Sequence, residues 1–302
     1  MKELVKSLLH KVPYVNRLHE QTANTNKNSF YPAGHYYSPI VSVDDIRRRE
    51  QEIWKNAVTD GIKGINLNTE AQIELAKEFS RYYPELPFGK EKAGNRRYWF
   101  ENNFYSYTDG IVLYSFMRHF RPGRIIEVGS GYSSALMMDV NELFFGNEIS
   151  LSFVEPYPER LYSLMSGKDK QTSTVLEKPV QEIGPDFFGQ LEKGDILFID
   201  SSHVSKCGSD VNYLLFDILP TLKSGVLIHI HDVFYPFEYP KDWMFKGWNW
   251  NEDYLLKAFL MYNNDFSIRL FANYLHVHHK DAFKDMPLTY LNTGGNFWMQ
   301  KN

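Results

Sequence analysis

The sequence predicts an α/β fold, in which a doubly wound, mostly parallel sheet follows a helical N-terminal extension. Three observations predict it. From Arg124 onward, short apolar runs alternate with segments of helical spacing, which is the pattern of right-handed βαβ units. The runs are nearly all apolar, as in strands that are covered on both faces. The first run ends at a glycine-rich turn that leads directly into a helix.

Residues 1–100 are predicted to form the helical extension and residues 101–302 the domain that carries the sheet. An amphipathic helix containing Leu4 and Leu9 is predicted to stop near Pro13. Residues 21–39 are rich in Asn, Tyr, Pro and Gly and are predicted to be loop. Helical spacing and capping residues predict three more helices, over Asp44–Val58, from Asn68 or Thr69 to about Tyr83, and from Thr108 or Asp109 toward Arg121.

Apolar and β-branched runs bounded by turn residues predict the strands, and segments of helical spacing predict the helices between them. The strands are predicted at Arg124–Val128, Ile149–Glu155, Ser173–Leu176, Ile196–Asp200, Val226–His231, Phe266–Phe271 and Asn296–Met299. The helices are predicted at Ala135–Phe145, Leu161–Met165, Asp210–Leu222 and Trp250–Tyr262.

Composition excludes several classes of protein. With 302 residues, 43% hydrophobic and 23% charged, the chain is too apolar for a disordered protein. The single cysteine, Cys207, excludes an internal disulfide framework. A net charge of −4 argues against nucleic acid as the main partner. Since no run reaches the roughly 18–20 apolar residues of a membrane span, we predict a cytoplasmic protein that does not bind membranes.

The glycine-rich turn is the most informative stretch of the chain. A strand ends at Val128, Gly129 and Gly131 allow a tight turn, and a helix begins. Such a turn lets a ligand approach the backbone closely. Glu155 ends the next predicted strand, 26 residues after Gly129. Dinucleotide-binding folds place a ribose-binding carboxylate about 20 residues after the turn, so Glu155 is predicted to accept hydrogen bonds from ribose hydroxyls.

The turn favours a nucleoside without phosphates. Ser133 and Ser134 stand where the dinucleotide fingerprint has its third glycine, which supports packing over a pyrophosphate. Glu127, at the end of the strand, would repel a pyrophosphate and suit an ammonium or sulfonium cation. The alternative is that Glu127 merely caps a neighbouring helix.

The run Ile126–Ser134 resembles motif I of class I S-adenosylmethionine-dependent methyltransferases, and more narrowly the bacterial methyltransferase domain 24 type. The stretches Phe198–His203 and His229–Asp232 support the same resemblance, which covers roughly residues 100–300. It implies a Rossmann-like sheet of seven strands with the last strand reversed. It also implies that the turn holds the methionine part of the cofactor, that Glu155 holds the ribose, and that the adenine lies near Gln181 and Glu182. The predicted cofactor-binding residues are Glu127, Gly129, Ser130, Gly131, Tyr132, Ser133, Glu155 and Asp200.

Polar side chains end two neighbouring strands of the predicted sheet. Asp200 follows one strand, and His231 and Asp232 follow the next. Because the carboxyl ends of parallel strands share an edge, these groups are expected to converge. Together with His203 they are the predicted catalytic residues. The alternative is a purely structural role, in which Asp200 and Asp232 cap the following helices.

A divalent metal is an open question at this edge. Some O-methyltransferases, which the chain resembles here, bind a metal through one ligand after the fourth strand and a consecutive pair after the fifth. The matching ligands would be Asp200, His231 and Asp232, with His231 where a carboxylate is more usual; this favours a softer ion over magnesium. Without a metal, His203 or His231 would act as general base.

Other histidines are less informative. His229 lies two residues before His231 on the same sheet face and is predicted to be a hydrogen-bonded core histidine. Alternation would bring His276 and His278 together, while His279 is expected in a solvated turn; the spacing does not favour a metal site there.

Two aromatic segments are predicted to close the site. Val233–Trp250 is expected to form a lid over the active edge, and its alternative is simple packing. Tyr31–Pro39, which includes His35, could fold over the same edge. Tyr105, Tyr107 and Asp109 could close the cofactor pocket, or only begin a helix.

The sequence therefore predicts an S-adenosylmethionine-dependent methyltransferase that acts on a hydroxyl or amine of a small molecule or sugar, with or without a divalent metal. The alternatives are an NAD-dependent oxidoreductase and a non-catalytic S-adenosylmethionine-binding protein. A small-molecule acceptor is the expected partner, and the oligomeric state is left open between monomer and homo-oligomer.

Overall fold

The computed structural model describes residue 9 and residues 12–302. The predicted N-terminal helix around Leu4 lies outside these residues except for Leu9. Contacts divide the described chain into two compact units. The smaller unit contains the described part of Met1–Lys55 together with Pro240–Asn249, and the larger contains Asn56–Tyr239 and Trp250–Asn302.

The helices of the described chain follow in sequence order. They are α1 (Pro13–Asn28), α2 (Val43–Arg48), α3 (Glu50–Ile53), α4 (Thr69–Phe79), α5 (Thr108–Phe120), α6 (Tyr132–Phe145), α7 (Glu159–Leu164), α8 (Asp169–Thr172), α9 (Pro185–Phe188), α10 (Asp210–Tyr213), α11 (Lys241–Phe245), α12 (Glu252–Leu260) and α13 (Ala272–His278). A π turn (Leu214–Ile218) and a 3-10 turn (Leu219–Thr221) extend α10. Further 3-10 turns lie at Lys55–Val58, Tyr83–Glu85, Val180–Glu182, Lys280–Phe283 and Pro287–Leu291.

The larger unit is built on a sheet that has seven strands among the described residues. They are β1 (Arg124–Val128), β2 (Ser150–Val154), β3 (Thr174–Leu176), β4 (Ile196–Ile199), β5 (Leu227–Ile230), β6 (Phe266–Phe271) and β7 (Phe297–Lys301). The order across the sheet is β3-β2-β1-β4-β5-β7-β6. Neighbouring strands among the first five pair in parallel, and β7 runs antiparallel to both of its neighbours, β5 and β6. The predicted Rossmann-like sheet with a reversed last strand is confirmed.

The core of the larger unit consists of buried apolar residues on both faces of this sheet. The strands β4 and β5 are buried along their whole length. Helix α5 is buried along most of its length because it lies against the sheet, where Phe116 stacks on Trp298 of β7 with ring centroids 3.8 Å apart. This covering on both faces explains why β4 and β5 are nearly all apolar in sequence.

Two predictions about local structure are wrong. Residues 21–28 belong to α1 and not to a loop, because α1 begins at Pro13 and no Gly or Pro interrupts it before Asn28. Proline is tolerated at the first helical position, where its missing N–H costs nothing. The segment containing His276 and His278 is helix α13 and not an extended strand, so these side chains do not share a face by alternation.

Residues 56–100 belong to the same unit as the sheet. Helix α4 packs against β6, where the side-chain oxygen of Gln72 accepts a hydrogen bond of 2.6 Å from the backbone N–H of Phe271. By contacts, the first segment of the smaller unit ends at Lys55, and the domain boundary at residue 100 stays a prediction. The contribution of the extension to a substrate pocket stays a prediction. No helix in the described part of the chain is long and apolar enough to span a bilayer, and the cytoplasmic location also stays a prediction.

Candidate functional site

Two clefts open at the carboxyl edge of the sheet, both within the larger unit. The first, which we call the glycine cleft, has a volume of about 460 Å³ and is lined by residues that include Gly129, Glu155, Gln181, Asp200, Ser201 and Ser202. The second, the histidine cleft, has a volume of about 360 Å³ and is lined by residues that include Tyr105, Ser130, Gly131, Tyr132, Ser133, Arg160, Asp200, Ser201, Ser202, His203, His231, Asp232 and Trp250. Because residues 200–202 line both clefts, they form a shared wall.

Gly129 allows the strand ends to approach each other at this wall. Its backbone is in the left-handed region, with φ of +81°, and a Cβ placed there would lie 1.8 Å from the carbonyl oxygen of Asp200. The N–H of Gly129 donates to the carbonyl of Val154 at 3.0 Å, and the N–H of Asp200 donates to the carbonyl of Val128 at 2.8 Å. A side chain would separate β1 from β4, so this position requires glycine.

Glu155 lies at the end of β2, on the edge of the glycine cleft. Its Oε2 accepts from the backbone N–H of Ser130 and its Oε1 from that of Tyr157, both at 2.9 Å. These bonds fix the carboxylate beside the turn. An ionised carboxylate has about four acceptor positions, so two remain for hydroxyl groups of a ligand in the cleft.

Glu127 occupies a different position from the other predicted cofactor residues. It is completely buried, lies outside the residue sets that line the two clefts, and accepts hydrogen bonds from the hydroxyls of Ser133 and Ser134. Burial raises the pKa of this carboxyl to about 8, against the hydroxyl bonds that lower it. Glu127 thus ties the end of β1 to the first turn of α6 through two side-chain hydroxyls and not by capping backbone N–H groups, and its contact with the cofactor stays a prediction.

The buried Glu127 predicts a pH dependence of stability. The pKa of Glu127 is raised from 4.5 to about 8, so its contribution to stability is complete below about pH 4.5 and is lost as the pH rises toward 8. Over this range the group lowers the free energy of unfolding by up to about 1.4 kcal/mol per pH unit. We expect urea denaturation between pH 5 and 8 to show a shallower decline for Glu127→Gln than for the wild type. The exposed control Glu159→Gln should keep the wild-type slope; equal slopes in all three would contradict the assignment.

His203 lies at the centre of the histidine cleft and is nearly buried. Its Nδ1 is 2.9 Å from Oε2 of Glu252, and its Nε2 is 3.3 Å from Oδ1 of Asp200 and 3.8 Å from Oδ2 of Asp232. The ring packs on Trp250 with centroids 4.3 Å apart. Burial lowers the pKa of His203, but the bonds to Asp200 and Glu252 outweigh it and raise the pKa well above the usual value of 6.5.

His231 and Asp232 form the opposite side of the cleft. Nε2 of His231 is 3.5 Å from Oδ1 of Asp232, while its buried Nδ1 has no hydrogen-bond partner among the described residues. The backbone of Asp232 is in the left-handed region, with φ of +55°. It packs against Gly295, whose N–H donates to the carboxylate of Asp109 at 2.9 Å. Such strained backbone persists where the surroundings fix it, often at functional sites.

The remaining predicted groups divide between core and clefts. His229 is completely buried and stacks on Phe198 with centroids 4.0 Å apart, so its core position is confirmed. The prediction that His229 is hydrogen-bonded is wrong, because neither ring nitrogen has a hydrogen-bond partner among the described residues. Burial lowers the pKa of His229 well below 6.5. Tyr105 lines the histidine cleft. Burial also raises the pKa of Asp109, to about 6.

The geometry does not support the predicted metal ligands. In residue 9 and residues 12–302, no group of three or more His, Cys, Asp or Glu side chains is arranged to hold a metal ion. Asp200, His231 and Asp232 do line one cleft, and Nε2 of His203 lies 3.3 Å from Oδ1 of Asp200 and 3.8 Å from Oδ2 of Asp232. As these side chains are arranged, Asp200, His231 and Asp232 do not form a metal site.

Sequence reasoning missed two residues of this site. Glu252 is 49 residues from His203 and reads as an ordinary acidic residue in the first turn of α12. Arg160 lines the histidine cleft, and its guanidinium lies 4.0 Å above the ring of Phe104. A signal for Arg160 was present, because it follows Glu155 by five residues and must lie near the same edge of the sheet.

A parallel sheet with a reversed last strand, a glycine turn after β1 and a fixed carboxylate after β2 define a nucleoside-binding α/β domain. Residues 126–233 match the family model described as a methyltransferase domain. An uncharacterised protein of Archaeoglobus fulgidus is 31% identical over 195 residues, which cover 63% of this chain and 86% of that protein. The chain carries a domain of this methyltransferase family.

Several solved structures match the chain at low identity. The methyltransferase PaMTH1 of Podospora anserina with bound S-adenosylhomocysteine is 16% identical, with a TM-score of 0.41 over 86% of this chain and 96% of that one. CmcI with magnesium and S-adenosylmethionine is 14% identical, with a TM-score of 0.43 over 74% and 84%. Coclaurine N-methyltransferase with N-methylheliamine and S-adenosylhomocysteine is 13% identical, with a TM-score of 0.35 over 86% and 95%.

Proposed function

We propose that the protein transfers the methyl group of S-adenosylmethionine to a hydroxyl or amine of a small molecule or sugar. The observation that carries this proposal is the wall of residues 200–202 shared by the glycine cleft and the histidine cleft. Methyl transfer is an in-line displacement, so donor and acceptor must meet with their reacting atoms aligned. A donor whose nucleoside lies in the glycine cleft would meet an acceptor in the histidine cleft beside this wall.

The glycine cleft suits the nucleoside part of the donor. Glu155 would accept from the two ribose hydroxyls with the oxygen positions that its backbone bonds leave open. Gln181 lines the same cleft, which supports its expected place near the adenine. The turn residues from Ser130 to Ser133 line the neighbouring cleft, where the methionine part would lie.

The histidine cleft suits a polar acceptor. Asp200 and Asp232 face it with oxygens that can accept a hydrogen bond from a hydroxyl or an amine. Because the pKa of His203 is raised well above 6.5, its ring is protonated and has no free lone pair, which favours Asp232, whose pKa is raised by burial, over His203 as the general base. The acidic chain and this small cleft support a small-molecule acceptor and not a nucleic acid.

Calorimetric titration tests the donor. The wild-type protein should bind S-adenosylhomocysteine, the demethylated product, with micromolar affinity and should not bind NAD under the same conditions. Tight binding of NAD with no response to S-adenosylhomocysteine would instead favour the oxidoreductase. An acceptor screen with isotopically labelled S-adenosylmethionine then separates a catalyst from a protein that only binds the cofactor.

Removing Glu155 should weaken cofactor binding. A hydrogen bond to a charged group contributes about 1.5–3 kcal/mol, so we expect Glu155→Ala to raise the Kd for S-adenosylhomocysteine by about tenfold or more. Glu155→Gln, which keeps one acceptor oxygen, should lose less. The exposed Glu159→Ala is the matched control and should bind as the wild type does. An unchanged Kd in Glu155→Ala would remove the ribose contact from the proposal.

A further inference from the structure

We propose that the acceptor carries a carboxylate group and that Arg160 binds this carboxylate in the histidine cleft. The proposal rests on the proposed function in taking this cleft as the acceptor side. The acceptor then has two recognised parts, the hydroxyl or amine that is methylated and a negative group that is held. Because an arginine side chain is always protonated in proteins, its positive charge does not depend on the pH.

Arg160 is the basic side chain of this cleft that lacks an acidic neighbour. The other basic residues that line the cleft are His203 and His231. Nδ1 of His203 lies 2.9 Å from Glu252, and Nε2 of His231 lies 3.5 Å from Asp232. In residues 12–302, no carboxylate oxygen lies within 4.0 Å of a side-chain nitrogen of Arg160. A ligand anion would therefore meet a cation that no described side chain already pairs.

The packing of Arg160 fixes its guanidinium and leaves the N–H groups available. Its Cζ lies 4.0 Å from the ring centroid of Phe104, which in turn stacks on Tyr132 with centroids 6.0 Å apart. Its Cδ passes over Gly131, where an added Cβ would lie 3.4 Å from it. Stacking uses the flat face of the guanidinium, so the N–H groups along its edge remain free to donate. This edge matches a carboxylate in a bidentate arrangement.

The remaining lining of the cleft indicates which anion fits and what else the acceptor carries. Four aromatic side chains line it, namely Phe104, Tyr105, Tyr132 and Trp250. The ring of Phe104 is 57% exposed, which suits a ligand with an apolar body beside its charged group. Asp200 and Asp232 line the same cleft. They would repel a phosphate ester, with its charge of about −1.5 to −2 at pH 7, more than a singly charged carboxylate.

Titration with benzoate and with its neutral isostere benzamide, followed by NMR, tests the proposal on the full chain saturated with S-adenosylhomocysteine. At constant ionic strength, the wild type should bind benzoate at least about fivefold more tightly than benzamide. Arg160→Gln should remove this preference. Arg160→Lys keeps the charge but loses the planar fork, so it should retain only part of the preference.

Arg121→Gln is the matched control. Arg121 also stacks on an aromatic ring, with its Cζ 5.1 Å from the centroid of Phe145, but it lies outside the residue sets that line the two clefts. This variant should keep the wild-type preference for benzoate. An equal loss in Arg121→Gln and Arg160→Gln would mean that net charge, and not a contact in the cleft, sets the preference, which would overturn the proposal.

Three further results would also overturn it. One is a wild type that binds benzoate no better than benzamide, and another is an unchanged preference in Arg160→Gln. The third is Arg160→Gln that binds S-adenosylhomocysteine about tenfold more weakly but binds 5′-methylthioadenosine, which lacks the methionine carboxylate, as the wild type does. Arg160 would then hold the donor. A wild type that binds no S-adenosylhomocysteine counts against the proposed function, and benzoate titration of the cofactor-free protein then decides the role of Arg160 separately.

Discussion

Replacing Gly129 by alanine is expected to lower the free energy of unfolding by more than about 3 kcal/mol and to abolish binding of S-adenosylhomocysteine. The added Cβ would lie 1.8 Å from the carbonyl oxygen of Asp200, and the backbone φ of +81° disfavours any side chain. Relief requires β1 and β4 to separate, which breaks the bond from Asp200 to Val128 and deforms the shared wall of the two clefts. Denaturant unfolding and calorimetry measure the two effects.

Gly146 provides the matched control for this prediction. It ends α6 with φ of +61°, but no atom lies within 4 Å of the Cβ that alanine would add. Gly146→Ala therefore isolates the conformational cost of a left-handed backbone, which is about 1–2 kcal/mol. It should leave cofactor binding unchanged. Equal losses of stability in Gly129→Ala and Gly146→Ala would show that close approach to Asp200 is not the cause.

Removal of Arg97 is expected to cost about 3–5 kcal/mol of unfolding free energy, the range for breaking a buried ion pair on one side. Its guanidinium donates twice to Asp169, at 2.7 and 2.8 Å, and once to Asp139 at 2.7 Å. Asp139 and Asp169 are almost fully buried, so Arg97→Ala leaves two carboxylates without their counterion. Denaturant unfolding at neutral pH measures the loss.

Lys223 is the matched control for Arg97. Its ammonium pairs with Glu192, but both side chains are about half exposed or more, at 48% and 66%. Exposed pairs contribute about 0–1 kcal/mol, so Lys223→Ala should change stability little. A similar small change for Arg97→Ala would mean that water reaches Asp139 and Asp169 and that the network is not buried in solution.

The sheet was predictable because its strands are covered on both faces. The predicted bounds of β1 and β6 agree with the structure: β1 lies between Gly123 and Gly129, and β6 begins directly after the turn residues 263–265. The error at residues 21–28 arose because Asn and Thr favour loops by propensity, while no Gly or Pro was present to end α1. The error at His276 arose because alternating residues over a short segment also fit a helix.

The candidate site was predictable where residues follow a strand directly. Asp200, His203, His231 and Asp232 all line one cleft because the carboxyl ends of β4 and β5 meet at one edge. Residues that reach the site only through tertiary packing left no signal in the local sequence. The clearest case is Glu252, an acidic residue at the start of α12 that packs against His203 across 49 residues of sequence. The hydrogen bond from Ser133 to Glu127 left no local signal either. A structural role for Glu127 was therefore only the alternative to cofactor binding.

The position of β7 has a consequence for biosynthesis. This late strand inserts between β5 and β6, and the segment before it packs Gly295 against the backbone of Asp232. While the ribosome still holds residues 295–301, a nascent chain has an open β5 edge and an unsupported Asp232. We expect the polypeptide to bind its cofactor only after residues 295–301 emerge from the ribosome. Until then the unpaired edge of β5 is open to aggregation and is a surface that a chaperone would protect.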